Sequence, residues 1–293
     1  MDLIETVEDL HRADAPGEGT RCVLVPALDA ELAWAAAEAL GLHLHPSRPA
    51  PRRPRAVVDG DQVDMVMFAL GEEGHQHRLE VIAGPGGVLI AAEEAAAPVV
   101  RETLGRAAPE STSAQVVVLL ALAVARRCED VLDTIDDRCQ ELEARATGYA
   151  SAAQRRTMSR LRALLFHLQE TQAAQQAMLS ADEELAQHLD HRTRRLLQRA
   201  GTAFDANRSM AARLYAMLGD LLQEQDTVVS ERLTLVATIF LPLTLATGFF
   251  GMNFAWMTDR IGSPGAFVLF GIAVPAVLTA VTLYCIHRLT RSS

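Results

Sequence analysis

Hydrophobic and polar positions change their period twice along this chain. Between Arg21 and Ala92 the runs are short and alternate. Arg21 to Leu28, Ala56 to Val58, Gln62 to Leu70, His77 to Ala83 and Val88 to Ala92 read as strands. Asp29 stands where it can cap a helix from Ala30 to Leu40, and Gly41 ends it. The proline- and arginine-rich stretch Ser47 to Arg55 reads as a loop, and Gly84-Pro85-Gly86-Gly87 as a turn. A further helix is predicted from Ala96 to Arg106. Strands flanked by helices make an α/β layer.

From Thr112 the apolar spacing lengthens. Val117, Leu120, Val124, Val131, Ile135 and Leu142 lie near heptad spacing and predict one helix from Thr112 to Ala146. Gly148-Tyr149 interrupts it. Gln154 to Leu179 reads as the returning helix, with Leu161, Leu164, Leu165 and Leu168 as its seam. Ser180 followed by Glu183 matches a capping box, so a stalk helix is expected to start there. Run from Ala181 to Phe250, it would rise roughly 105 Å at about 1.5 Å per residue. Gly201 and Gly219 soften such a helix, and Pro242 removes one backbone bond from it.

The second change is to runs without charge. Neither Leu233 to Thr258 nor Ile261 to Ile286 holds an Asp, Glu, Lys or Arg, and only Asp259 and Arg260 separate them. About 20 apolar residues cross a bilayer as a helix. Two spans joined by a tight hairpin are therefore expected, with Gly251-Met252-Asn253 where the first leaves the bilayer. Two helices cannot enclose a water-filled pore against lipid. Transport would need an oligomer.

Charge sharpens this division. Four of the 27 basic and two of the 37 acidic residues lie from Glu231 onward, so residues 1–230 carry a net charge of −12. An acidic body is a poor partner for nucleic acid and suits divalent cations. Arg232 precedes the first span, and Arg288 and Arg291 follow the second, which predicts both termini in the cytosol of a cell with this protein in its inner membrane. Cys22, Cys128, Cys139 and Cys285 are scattered and read as buried thiols. His43/His45, His75/His77 and His188/His191 have spacings able to bind zinc, but no third ligand is in view. No nucleophile–base pattern or phosphate loop is visible, so an enzyme is not expected.

Residues 233–257, ending in Gly-Met-Asn-Phe after an Ile-Phe-Leu-Pro-Leu-Thr helix and followed by one last helix and a basic tail, resemble the first membrane helix and signature of CorA-type magnesium transporters. The resemblance implies an α+β membrane protein that assembles as a funnel-shaped homopentamer in lipid. Its parts would be a cytosolic α/β domain (1–110), an antiparallel helical pair (111–180), a stalk helix (181–232), a first span with the signature at its outer end (233–258), an external tip (259–260), a second span (261–287) and a basic cytosolic tail (288–293). Phe250 stands where the family usually has tyrosine, and Ala255-Trp256-Met257-Thr258-Asp259 replaces its acidic loop.

The candidate chemistry follows. Magnesium holds its waters tightly in octahedral order. Rings of Asn253 amides and Gly251 carbonyls, with Met252 packing beside them, could hold the hydrated ion as a selectivity filter. Walking back along one helical face gives Gly248, Thr244, Leu241, Ala237, Leu233 (or Thr234), Ser230, Thr227, Gln223 and Asp220, a stripe mostly small or polar. Thr244 suits a second hydrated-ion ring, and Leu241 and Leu233 suit constrictions that gate by dewetting. The resemblance also implies regulatory magnesium between protomers, with Asp190 as the stalk ligand and Asp59, Asp61 or Asp64 facing it. The expected cargo is Mg2+, with Co2+, Ni2+ and Zn2+ as alternatives. The rival readings are a ZntB-like zinc transporter and a membrane-anchored structural or sensory oligomer that does not conduct.

Overall fold

The computed structural model describes residues 2–4, 20–27, 29–44, 52–71, 74–145, 150–181, 189–251 and 263–291. The chain divides into two units. Met1–Ala146 and Ser151–Asp220 form one, and Thr147–Ala150 and Leu221–Ser293 form the other.

The first unit is built on a six-stranded mixed sheet. Its strands are β1 (Asp2–Ile4), β2 (Arg21–Pro26), β3 (Arg55–Asp59), β4 (Gln62–Leu70), β5 (Gln76–Gly84) and β6 (Gly87–Ala92), in the order β1-β2-β6-β5-β4-β3. β1, β2 and β6 run parallel, while β6, β5, β4 and β3 form an antiparallel meander. β1 was not expected, since three residues are too few to show a period. The other strands fall within one or two residues of the sequence reading.

Strand alternation gives the sheet two apolar faces. One row, Leu24, Ile90, Val81 and Met65, crosses four strands in register and is buried throughout. It faces α2 (Ala97–Arg106) and α3 (Ser113–Arg145), whose Val100, Leu104, Val117 and Leu120 join the same core. The opposite row, Val23, Leu89 and Ile82, packs under α1 (Ala30–Ala39) through Ala36, Ala37 and Leu40. Asp29 caps α1 as expected: Leu32 N donates to its Oδ1 over 2.9 Å. Gly41 takes φ +63°, a region closed to most side chains.

Beyond Ile82 this second face turns charged. Arg55 and Glu80 lie opposite Val66 on its two neighbouring strands, and Asp64 is two residues from Val66. Arg55 pairs with Asp64 at 3.6 Å. Burial, with the nearby Asp64 charge, raises the Glu80 carboxyl above its ordinary value, against the pull of Arg78 and Arg55.

α4 (Ala152–Ala181) returns along the chain with Leu161, Leu165 and Leu168 buried and Leu164 half-buried. Its Gln175 is wholly buried and accepts a bond from Phe68 N, closing the edge of β4 where β3 has ended. Burial pushes the thiols of Cys22 and Cys128 up to about 12 and that of Cys139 up to about 11.

The long helix is α5 (His191–Gly251), and its start corrects the sequence reading. Ser180 lies inside α4, where its hydroxyl donates to Gln176 O. The cap of α5 is Asp190. Its Oδ1 accepts from Arg192 N and Thr193 N, at 2.7 and 2.9 Å, and its Oδ2 from Thr193 Oγ1 and Gln115 Nε2, at 2.7 and 3.1 Å. Aspartate with a threonine three residues on supplies more bonds to orphan amides than Ser180 could. Gln115 Oε1 also accepts from Thr112 N at the start of α3, so one glutamine serves two helix N-termini.

In the second unit, Pro264–Ala266 leads into a π-helical stretch, Phe267–Ala273, and then α6 (Val274–Arg291). The π-turns were not expected. Pro275 gives no N–H to the carbonyl one turn earlier, at Gly271.

Two outcomes test this account. Asp190→Ala should speed amide exchange at Arg192 and Thr193, whereas Asp190→Asn should preserve protection; equal exchange in both variants would refute the cap. Glu80→Gln should raise the melting temperature at about pH 7 and lose that advantage near pH 4, where the unfolded carboxyl protonates. The sign follows from the raised value: the neutral form is favoured in the fold, so stability is lost as pH rises through it. A pH-independent difference between the two proteins would count against the burial argument.

Candidate ion-conducting face of the long helix

α5 buries one side only. Its buried positions are Thr193, Leu197, Ala200, Phe204, Asn207, Ala211, Leu214, Leu218, Leu221 and Gln225, spaced alternately by four and three residues. That is a heptad seam. Asn207 donates from Nδ2 to Ala125 O over 2.8 Å, which settles a buried amide inside it. After Gln225 no described residue of α5 is buried.

The stripe read from the sequence lies on the other side. Thr227 is two residues from Gln225, a turn of about 200°. Asp220, Thr227, Ser230, Leu233, Ala237, Leu241, Thr244 and Gly248 are all exposed, with Leu241 at 74 %. Within the apolar part, Thr238, Ile239, Pro242 and Leu243 are half-buried and share the face opposite Ala237, Leu241, Thr244 and Gly248. From Leu233 to Gly251 the helix rises roughly 27 Å, close to the hydrocarbon thickness of about 30 Å. α5 is, among the described residues, the one helix long and apolar enough to cross a membrane. Gly271–Thr282 is a shorter apolar helical stretch.

Three threonine hydroxyls along the stripe have a common orientation. Thr227 Oγ1 donates to Gln223 O (3.0 Å), Thr234 Oγ1 to Ser230 O (2.9 Å) and Thr244 Oγ1 to Phe240 O (2.8 Å). Each proton is committed to the backbone, so each oxygen offers only lone pairs to whatever lies beside it. Gly251 is the last residue of α5, and Met252 and Asn253 lie outside the described residues.

Within the described residues of one protomer, the candidate regulatory aspartates Asp190, Asp59, Asp61 and Asp64 do not converge on a metal centre. Asp190 is engaged by four donors, which accounts for a carboxylate's acceptor sites. Those bonds, Thr193 first, hold it well below the usual carboxylate range. Asp61 lines a cleft of about 640 Å³ with Leu189, Val58, Val117 and Pro85, a largely apolar setting. Asp59 is exposed at the end of β3, and Asp64 is paired with Arg55. Among the described residues, no three His, Cys, Asp or Glu side chains converge to hold a metal ion. His77 Nδ1 lies 3.3 Å from Glu93 Oε2. His45 and His188 lie outside the described residues.

The sequence reading missed the seam that defines the free face. Its spacing is present in the sequence, but Thr193, Asn207 and Gln225 interrupt the apolar pattern.

Comparison with known proteins agrees with this architecture. The chain is similar in fold to the complete CorA magnesium transporter from Methanocaldococcus jannaschii, with a TM-score of 0.69 at 16 % identity over 91 % of this chain and 90 % of that one. It is also similar to full-length CmaX (TM-score 0.60, 17 % identity, 92 % and 88 % covered). The cytoplasmic domain of ZntB from Vibrio parahaemolyticus matches over 72 % of this chain and 88 % of that domain, with a TM-score of 0.55 at 11 % identity. In sequence, 84 residues are 30 % identical to YfjQ of Bacillus subtilis (strain 168), a protein named for metal ion transport; the match spans 29 % of this chain and 26 % of that protein. The sequence profile of the CorA-like Mg2+ transporter protein family covers residues 69–288, from the end of β4 to the last helix, and the chain belongs to that family.

Proposed function

We propose that this protein is a homo-oligomeric, pentameric channel that takes up hydrated divalent cations, Mg2+ first, across the inner membrane under control of intracellular Mg2+. The exposed stripe of α5 carries the reading. It is small, polar or singly apolar, it lies opposite the helix's own packing seam, and it leads to Gly251 of the signature. A hydrated dication presents water hydrogens outward, and threonine oxygens with committed protons can only accept them. The ion can therefore be guided without losing its waters. Leu233 and Leu241 interrupt the polar stripe with apolar rings that close by excluding water. The stripe has no charged group between Leu233 and Gly251, so the drive is the membrane potential, about 4.6 kcal/mol for a dication per 100 mV. Asn253, with Gly251 and Met252, forms the filter; both spans and cytosolic termini follow from the charge-free runs and their flanking arginines.

A zinc transporter is the second reading, supported by the likeness in fold to the ZntB cytoplasmic domain. Fluxes of Mg2+ and Zn2+ into liposomes holding the full chain separate the two. Absence of both fluxes would leave a non-conducting oligomer.

Asn253→Ala should lower Mg2+ uptake by at least about tenfold, equivalent to about 1.4 kcal/mol, while the oligomer stays assembled on size exclusion. Undiminished uptake would remove the filter assignment. Leu241→Ser should raise the closed-state leak at high internal Mg2+, and Leu243→Ser, on the half-buried face, should not. The reverse order would mean that the conducting face has been misassigned.

A further inference from the structure

We propose that Gln225 is a positioning residue that ties Ala150 to the helix carrying the first span, so that Ala150 and the conducting face of α5 turn as one piece. The inference rests on the transport reading above and names a control point for it.

The tie includes a buried bond. Ala150 N donates to Gln225 Oε1 over 2.6 Å, between residues 75 apart in the chain. Ala150 is wholly buried and Gln225 is 2 % exposed. Ala150 follows α3 and immediately precedes Ser151, whose hydroxyl and backbone N–H exchange bonds with Gln154 to cap α4. The residue that Gln225 holds therefore directly precedes the cap of α4.

The place of Gln225 in its helix makes the bond consequential. It is the last position of the seam, and the seam residue before it is Leu221. Simple packing would be met by another leucine there. An amide costs desolvation unless it is bonded, and its bond is directional where a methyl contact is not. A polar group at one seam position fixes which residue sits opposite, as in coiled coils.

The mechanical consequence follows from helix geometry. Gln225 is eight residues before Leu233, about 12 Å along the axis. Thr227 and Ser230 of the stripe lie within two turns of it. A rotation of α5 that re-aims those hydroxyls must swing Gln225 with them. It then either carries Ala150 along or breaks a bond shielded from water. Motion of Ala150 is transmitted to the stripe by the same bond, through a contiguous rigid element.

The test uses the full chain in liposomes. Gln225→Met keeps the length and the apolar body and removes the acceptor. Ala150→Pro removes the donor from the other side. Hydrogen exchange at Ala150 in Gln225→Met should quicken about tenfold, with peptides from β4 to β6 unchanged. Maximal Mg2+ flux should stay within about twofold of wild type, while the internal Mg2+ that halves it should shift by about threefold or more. Ala150→Pro should shift it equally, and the double variant no further. Unchanged exchange at Ala150 would overturn the tie. Faster exchange with an unshifted Mg2+ response in both variants would overturn the coupling. If the wild type moves neither Mg2+ nor Zn2+, the transport reading fails, and the exchange measurement still decides whether the tie exists.

Discussion

Burial on one side of α5 and exposure on the other is the constraint from which the rest of the chain can be understood. Ten seam positions from Thr193 to Gln225 draw the helix against the chain's own partners. Phe204, the bulkiest wholly buried side chain among the described residues, packs in the same core as the sheet and α3. Burying an aromatic of that size stabilises a fold by about 2–3 kcal/mol. Such packing consumes one face completely. The opposite face is then left to water, lipid or another copy of the chain, and it is there that hydroxyls and small residues collect. A helix hydrophobic all round would have had no such face to offer.

The beginning of the helix is governed by similar economy of atoms. α3 and α5 both start near Gln115, and both bring unsatisfied N–H groups and positive dipole ends to one place. Asp190 and Gln115 answer them together. A carboxylate so placed is valuable for the fold and poorly available to a cation. Acidic residues are numerous in this unit, yet their surroundings differ sharply. Asp64 is drawn to Arg55, Glu80 is pressed toward neutrality by burial, and Asp61 edges an apolar cleft. Composition alone could not distinguish these fates.

Much of the fold was legible because its signals are local. The period-two strands, the Asp29 cap and the paired helices α3 and α4 each declare themselves within a few residues. The family resemblance rested on the apolar run ending at Gly251-Met252-Asn253, and the profile match extends well beyond it. What stayed hidden depends on long-range partners. Ser180 and Glu183 form a good capping pattern, but α4 runs through Ser180. Asp190 outbids it only because Thr193 and Gln115 converge on the same carboxylate, and Gln115 is 75 residues away. The seam of α5 was obscured by Asn207 and Gln225, whose amides look like surface groups until Ala125 and Ala150 are seen to satisfy them. The stripe was found from the sequence, yet its exposure could be known only once the seam had been located.

Three thiols described above carry a practical consequence for labelling chemistry. Cys22, Cys128 and Cys139 are at most 1 % exposed, and burial holds them at about 12, 12 and 11. At neutral pH roughly one in ten thousand or fewer of these groups is the reactive thiolate. Water-borne alkylating reagents should therefore pass them by while the first unit stays folded. A cysteine placed on the open face of α5 would report against a background that is silent at all three positions, with no need to strip the fold of side chains that fill its core.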